Sequence, residues 1–212
     1  MINIKLTERD MALFEFINKH DIVSLESAAI LFGISKVNTR QRLLKLKRSG
    51  HINYQTFFSK LTAVSLSGLG YASIFLEKKS LDLFNISVKS LNHKLKISEV
   101  AAALNVNNIA YYIPNIYGHG MLVPDFILKE NNTGIEVELT LKSRQAYAKK
   151  LFMLQESDIP SLIYVCSFKP ESLESLLVGI NEDDMGRPII EETKSRIKIV
   201  SFDNFVKLKN NL

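Results

Sequence analysis

The sequence holds a single cysteine, Cys166, in 212 residues. An intramolecular disulfide is therefore excluded. Neither a zinc cluster nor a thiol catalytic site has the cysteines it requires. Cys166 sits inside the apolar run SLIYVCS and reads as a small buried hydrophobe. Long apolar runs are also missing, and none approaches the ~20 residues that span a bilayer. The opening MINIKLTERD lacks the apolar core of a signal peptide, so a cytoplasmic address and no membrane insertion are expected. The phosphate-cradling glycine loop of P-loop enzymes is absent, as are repeats and low-complexity tracts.

What the chain does have is ordinary globular composition, with 46% hydrophobic and 23% charged residues, enough for one large domain or two small ones. The net charge of +5 is unevenly spread. Residues 1–80 carry 12 Lys and Arg against 6 Asp and Glu, whereas residues 81–212 carry 15 against 16. A basic first third points to a polyanionic partner, although a solvated basic face has the same composition. Residues 81–91 show weak periodicity where the charge balance changes. They are read as a linker between an N-terminal domain, 1–80, and a C-terminal domain, 92–212.

The first part reads as three helices and a hairpin. Thr7 caps ERDMALFEFINKH, whose Met11, Leu13, Phe14 and Ile17 lie mostly on one face. Ser24 starts a helix that stops at Gly33, and Ser35 caps a third that ends at Gly50. HINYQTF and KLTAVSL follow as short strands. This order is the winged helix-turn-helix layout. On the third helix, Thr39, Leu43 and Leu46 share a face at roughly 180–240° from Val37. Asn38, Gln41, Arg42 and Lys45 lie on another side and form the expected DNA-reading set. Amides suit adenine edges, and arginine suits guanine or phosphate. Lys47, Arg48 and Lys60 are placed for phosphates. A winged helix used for protein contact is the alternative.

The second part reads as a helix, KISEVAAALN, then strands NIAYYIPN, MLVPDFILK and GIEVELTL. A helix capped by Ser143, the strand SLIYVCS, a helix PESLESLLVGI and a last strand RIKIVSF complete it. The order is α-β-β-β-α-β-α-β, a mixed sheet with helices on its faces, so the whole chain is α+β. Alternation along GIEVELTLK places Ile135, Val137, Leu139 and Leu141 on one face, with Glu136, Glu138, Thr140 and Lys142 on the other. Two carboxylates ~7 Å apart on one strand, with Asp125 on the preceding strand, can converge with Lys142. Mg²⁺ or Mn²⁺ would take such oxygen ligands and activate water. Alternation for solubility alone is the other reading.

Pro124-Asp125 on one strand, followed by Glu136-Val137-Glu138 on the next, resembles the PD-(D/E)XK nuclease superfamily. Its α-β-β-β-α-β core, a restriction-endonuclease-like fold, has the order just described. That resemblance implies Asp125 as a metal ligand and either Glu136 or Glu138 as a second; Asp125, Glu136, Glu138 and Lys142 together are the candidate catalytic set, with the three acids as candidate metal ligands. The sequence departs from the pattern where the lysine is expected, two positions after the acid, because Glu138 or Thr140 stands there. Lys142 or Lys149 would have to substitute, and Glu99 matches an auxiliary acidic position loosely. More narrowly, RLLKLKRSGHI, LSGLGYA, LNHKLKISEV with His93, PDFIL and EVELTLKS are similar to plasmid replication-relaxation proteins and MobC-type mobilisation relaxases. This implies metal-dependent nicking of double-stranded DNA at a plasmid origin of transfer, with other mobilisation proteins and a second copy as candidate partners. Tyr111, Tyr112, Tyr117, His119 and Tyr147 are further candidate site residues. The alternative function is a non-catalytic DNA-binding regulator with a degenerate nuclease-like domain.

Overall fold

The computed structural model describes residues 4–57, 61–74, 87–114 and 121–207. The architecture is α+β, with two compact units, residues 1–107 and 108–212.

The first unit contains α1 (Glu8–His20), β1 (Val23–Ser24), α2 (Leu25–Phe32), α3 (Lys36–Arg48), β2 (Ile52–Phe57), β3 (Leu61–Leu66), α4 (Gly68–Ser73) and α5 (Val88–Val106). Side-chain caps start the helices as expected. Thr7 and Asp10 form a reciprocal capping box on α1, Ser24 caps α2 and Ser35 caps α3. Gly33 ends α2 with φ +63°, a left-handed conformation that costs a Cβ-bearing residue most. The sheet runs β1-β3-β2 and is antiparallel throughout, with Tyr54 opposite Val64. Leu13, Phe14, Ile17, Leu43, Leu46 and Val64 form its fully buried centre. At the start of α4, a Cβ on Gly70 would come within 2.2 Å of the His51 carbonyl oxygen, so only glycine fits there.

The domain boundary differs from the sequence reading. The helix containing KISEVAAALN is α5, and it packs against α2 and β1 inside the first unit. Leu91 and Leu95 join Ile22 and Ala63 in one apolar cluster. The Ser98 hydroxyl lies 2.7 Å from that of Ser27 and accepts from the Ser24 N–H. Of the expected linker 81–91, residues 87–91 form the cap and first turn of α5, and 81–86 lie outside the described residues. Charge and weak periodicity could not locate the true boundary, because α5 belongs where its apolar face is covered rather than where the charge changes.

The second unit comprises β4 (Tyr111–Tyr112), β5 (Phe126–Leu128), β6 (Gly134–Glu138), α6 (Arg144–Gln155), β7 (Leu162–Cys166), α7 (Pro170–Val178), α8 (Glu191–Ser195), β8 (Ile197–Ser201) and α9 (Phe202–Lys207). The sheet order is β4-β5-β6-β7-β8. The first three strands form an antiparallel meander, and β6, β7 and β8 run parallel. Tyr147, Leu151 and Leu154 of α6 bury against Leu162 and Tyr164 of β7. The strands are shorter than alternation predicts. β6 stops at Glu138, and Leu141 is exposed rather than on a core face. The turn Tyr117-Gly118-His119-Gly120 and Lys60 lie outside the described residues.

We predict that residues 1–107 fold as an isolated fragment, whereas residues 1–80 do not melt cooperatively. Removing α5 uncovers Ile22 and Ala63 and takes from the Ser27 hydroxyl one of its two partners. Thermal melts of the two fragments followed by circular dichroism test this. A cooperative 1–80 melt at the same temperature would refute it.

Candidate functional site

Two side-chain constellations stand out, one in each unit. The first is the outer face of α3. Thr39, Leu43 and Leu46 are fully buried, as periodicity requires, and they fix the rotation of the helix on the core. Asn38, Gln41, Lys45, Lys47 and Arg48 are exposed. Lys47 lies 6.0 Å from the Tyr54 ring centroid of β2. Lys36, at the start of the helix, pairs with Glu26 at 2.9 Å.

Arg42 is a correction to the exposed reading set. Its Nε donates to Asp10 Oδ1 at 2.9 Å, its Nη2 donates to Asp10 Oδ2, and the same nitrogen reaches the Lys5 carbonyl at 3.1 Å. Asp10 is completely buried and also accepts from the Thr7 N–H and hydroxyl at 2.7 Å. Burial pushes the Asp10 carboxyl up, but bonds from Arg42 and Thr7 outweigh it, and the net shift is downward. Arg42 thus bolts α3 to the start of α1. Helical periodicity gave its angle correctly. It could not show that a buried carboxylate from α1 waits at that angle.

The second constellation is on β6 and α6. Glu136 and Glu138 do share one face of their strand, as alternation predicted. Both converge on one cation, the Lys150 ammonium, which bonds Glu136 Oε1 and sits 2.9 Å from Glu138 Oε1. Lys142 Nζ reaches the same Glu138 oxygen at 2.8 Å. Glu138 is 1% exposed. The lysine that fills the cluster is therefore Lys150, while the neighbouring Lys149 is exposed. The signal for it was available in the sequence. Lys150 lies three residues after Tyr147 and four before Leu154, on the inward stripe of α6. Burial disfavours the Lys150 ammonium, but the charges around it, Glu136 first, outweigh burial and raise its pKa.

Asp125 precedes β5. Its Oδ2 accepts from the Val137 N–H at 2.7 Å, and one more step of the β5–β6 register would set Asp125 opposite Glu136. The carboxylate is thus beside the glutamates. Among the described residues, however, no three Asp, Glu, His or Cys side chains group so as to hold a metal ion. In this arrangement Asp125 accepts from the β6 backbone, and the three-carboxylate ligand set expected from the sequence is not assembled among the described residues. The remaining pair still suits a hard cation. Glu136 and Glu138 already enclose one positive charge, and Mg²⁺ is commonly held by one or two carboxylates with water and phosphate oxygens.

Of the other candidates, Tyr147 lies near Glu138, while Glu99 and His93 belong to the first unit. Tyr147 is fully buried, its hydroxyl accepts from the Lys142 N–H at 3.4 Å, and burial pushes its pKa up to about 12. A buried phenol with that pKa is a poor nucleophile. Burial, then the Glu138 charge, pushes the Cys166 thiol up to about 12, so it is inert, as its apolar surroundings suggested. Glu99 belongs to the first unit, where it is buried and paired with Lys96 at 2.7 Å. His93 is also on α5 of that unit. No family model, no curated protein and no solved structure matches this chain. Among the described residues no helix is long and apolar enough to cross a membrane.

Two outcomes follow from the ion pairs. Lys150→Ala leaves two carboxylates beside each other without their shared cation and should cost about 3–5 kcal/mol. Lys142→Ala removes a half-exposed partner and should cost less than about 1 kcal/mol. Urea denaturation of both variants tests the ranking, and equal losses would contradict it. Arg42→Ala should cost about 3 kcal/mol near neutral pH, by stranding Asp10. Because the Asp10 pKa is lowered by folding, the stabilisation is fully present above its ordinary value of 3.8 and is lost as the pH falls through the folded value. The gap between wild type and Arg42→Ala should therefore narrow in acid. A gap that widens below pH 3.8 would contradict the assignment.

Proposed function

We propose that this chain binds double-stranded DNA through a winged helix-turn-helix in its first unit and nicks it with a restriction-endonuclease-like second unit, in the manner of a plasmid mobilisation relaxase. The observation that carries the reading is the convergence of Glu136 and Glu138 of β6 on Lys150 of α6, with Asp125 just before the neighbouring β5. The order β4-β5-β6-α6-β7 supports the nuclease-like assignment. Helices α1 to α3 followed by the β2–β3 hairpin support the winged helix.

In this reading Glu136 and Glu138 would hold a divalent cation, Mg²⁺ or Mn²⁺, which supplies Lewis-acid activation of water and neutralises charge on the scissile phosphate. Lys150, already between the two carboxylates, turns its ammonium toward the phosphate and balances the charge that develops there. Asp125 holds the β6 backbone through Val137 and so fixes where the two glutamates project. Lys142, at the open end of the cluster, bonds Glu138 and orients it. In the first unit, Lys45, Lys47 and Arg48 anchor the phosphate backbone.

One observation favours a second reading. Lys150 and Lys142 neutralise the glutamates from within, which is what a retired site would need to remain folded. The protein would then be a non-catalytic DNA-binding regulator.

Supercoiled plasmid incubated with the full chain and Mn²⁺ or Mg²⁺ separates these readings. Nicking is expected to yield open circles, and Glu136→Gln or Glu138→Gln should abolish it while DNA binding persists. Plasmid that stays supercoiled while still bound would establish the regulator. Replacing Lys45, Lys47 and Arg48 together by Ala should weaken binding. It should also flatten the dependence of log K on log salt by about 0.9 for each phosphate that is no longer neutralised. An unchanged slope in anisotropy titrations would remove these residues from the interface.

A further inference from the structure

The outer ridge of α3 is divided chemically along its length. Taking Val37 as the origin at about 100° per residue, Gln41 lies near 40°, Lys45 near 80° and Arg48 near 20°. The buried Leu46 lies near 180°, so Val37 points directly away from the core. Its exposure of 68% is the highest among the large apolar side chains described in the first unit. The C-terminal half of the ridge carries the cations Lys45, Lys47 and Arg48. The N-terminal half presents Val37, Asn38 and Gln41, an apolar group and two amides, with the exposed Arg40 on its flank near 300°. Two cations that bracket Val37, Asn38 and Gln41 in sequence are committed, Lys36 to Glu26 and Arg42 to Asp10.

We infer that Val37 and Gln41 are specificity-determining residues for an A·T base pair. The inference rests on the DNA-binding reading of α3. In a helix-turn-helix the N-terminal residues of the reading helix reach base edges. In the major groove only thymine offers a methyl group, which an apolar side chain covers, and a glutamine amide pairs with adenine N6 and N7. Val37 and Gln41 are one turn apart on the same face, so they stack along the helix and meet the same or adjacent base pairs. Arg40, the exposed arginine of this half, lies near 300°, on the flank opposite Gln41, and is placed for a phosphate or a neighbouring base. Arg42, the sequence candidate for guanine or phosphate, is held by Asp10. An exposed valine has no packing role, so Val37→Ala leaves the fold intact.

The test uses the full chain and a duplex obtained by in vitro selection. Replacing thymine by deoxyuridine, one position at a time, removes only the 5-methyl group. At one position wild-type affinity should fall by about four-fold, the value of one buried methyl. Val37→Ala should bind the thymine duplex about four-fold more weakly and show no further loss with deoxyuridine, while Val37→Ile retains the wild-type response. Gln41→Ala should lose preference for the adenine of that pair or of its neighbour. Wild-type affinity indifferent to deoxyuridine at every position would overturn the inference, as would a Val37→Ala variant that keeps the full deoxyuridine penalty. Absence of DNA binding at low salt would instead sink the reading on which the inference rests.

Discussion

A single ammonium group holds the second unit's chemistry in place. Glu136 and Glu138 sit on one face of β6, about 7 Å apart along the strand, and Glu138 is almost wholly buried. Two such carboxylates repel each other and are costly to desolvate unless a cation lies between them. Lys150 is that cation, and it comes from α6 rather than from the sheet. The pairing therefore also fixes how α6 lies against β6. It places Tyr147 against Tyr164, with the two rings edge to face at 6.0 Å. Whether a divalent ion later shares the site or the lysine remains its only cation, the convergence of these charges is the same geometric fact.

The first unit depends on a similar arrangement for a different purpose. Asp10 belongs to the capping box of α1, and its remaining lone pairs take Arg42 of α3. A local helix-start motif thereby becomes a tertiary bolt. It restrains the helix whose outer ridge carries Val37, Gln41, Lys45 and Arg48. Arg42 is removed from that exposed ridge in the process, so one side chain serves the core at the expense of the surface.

Much of this was legible in the chain itself. The caps at Thr7, Ser24, Ser35 and Ser143 were read from residue type, because a side-chain oxygen satisfying a helix N–H is a local event. The buried face of α3 and the shared face of Glu136 and Glu138 follow from the 3.6 and 2.0 residue periods. Strand ends were less legible. Alternation continues through Leu141, yet β6 stops at Glu138, where its neighbour β7 ends at Cys166 and no further ladder partner is offered.

The sequence by itself determined where the longer helices start and which side chains on α3 and β6 face together, since these depend on neighbours within a few residues. Only the tertiary structure decided which distant groups meet. It assigned α5 to the first unit through Leu91, Leu95 and Ser98, and it chose Lys150 over Lys149 and Lys142 as the shared cation. It also turned Arg42 inward to Asp10. The physical reason is common to all three. A buried polar or apolar surface must be matched by whatever the packed chain brings against it, and that partner lies many residues away, beyond the reach of any local period.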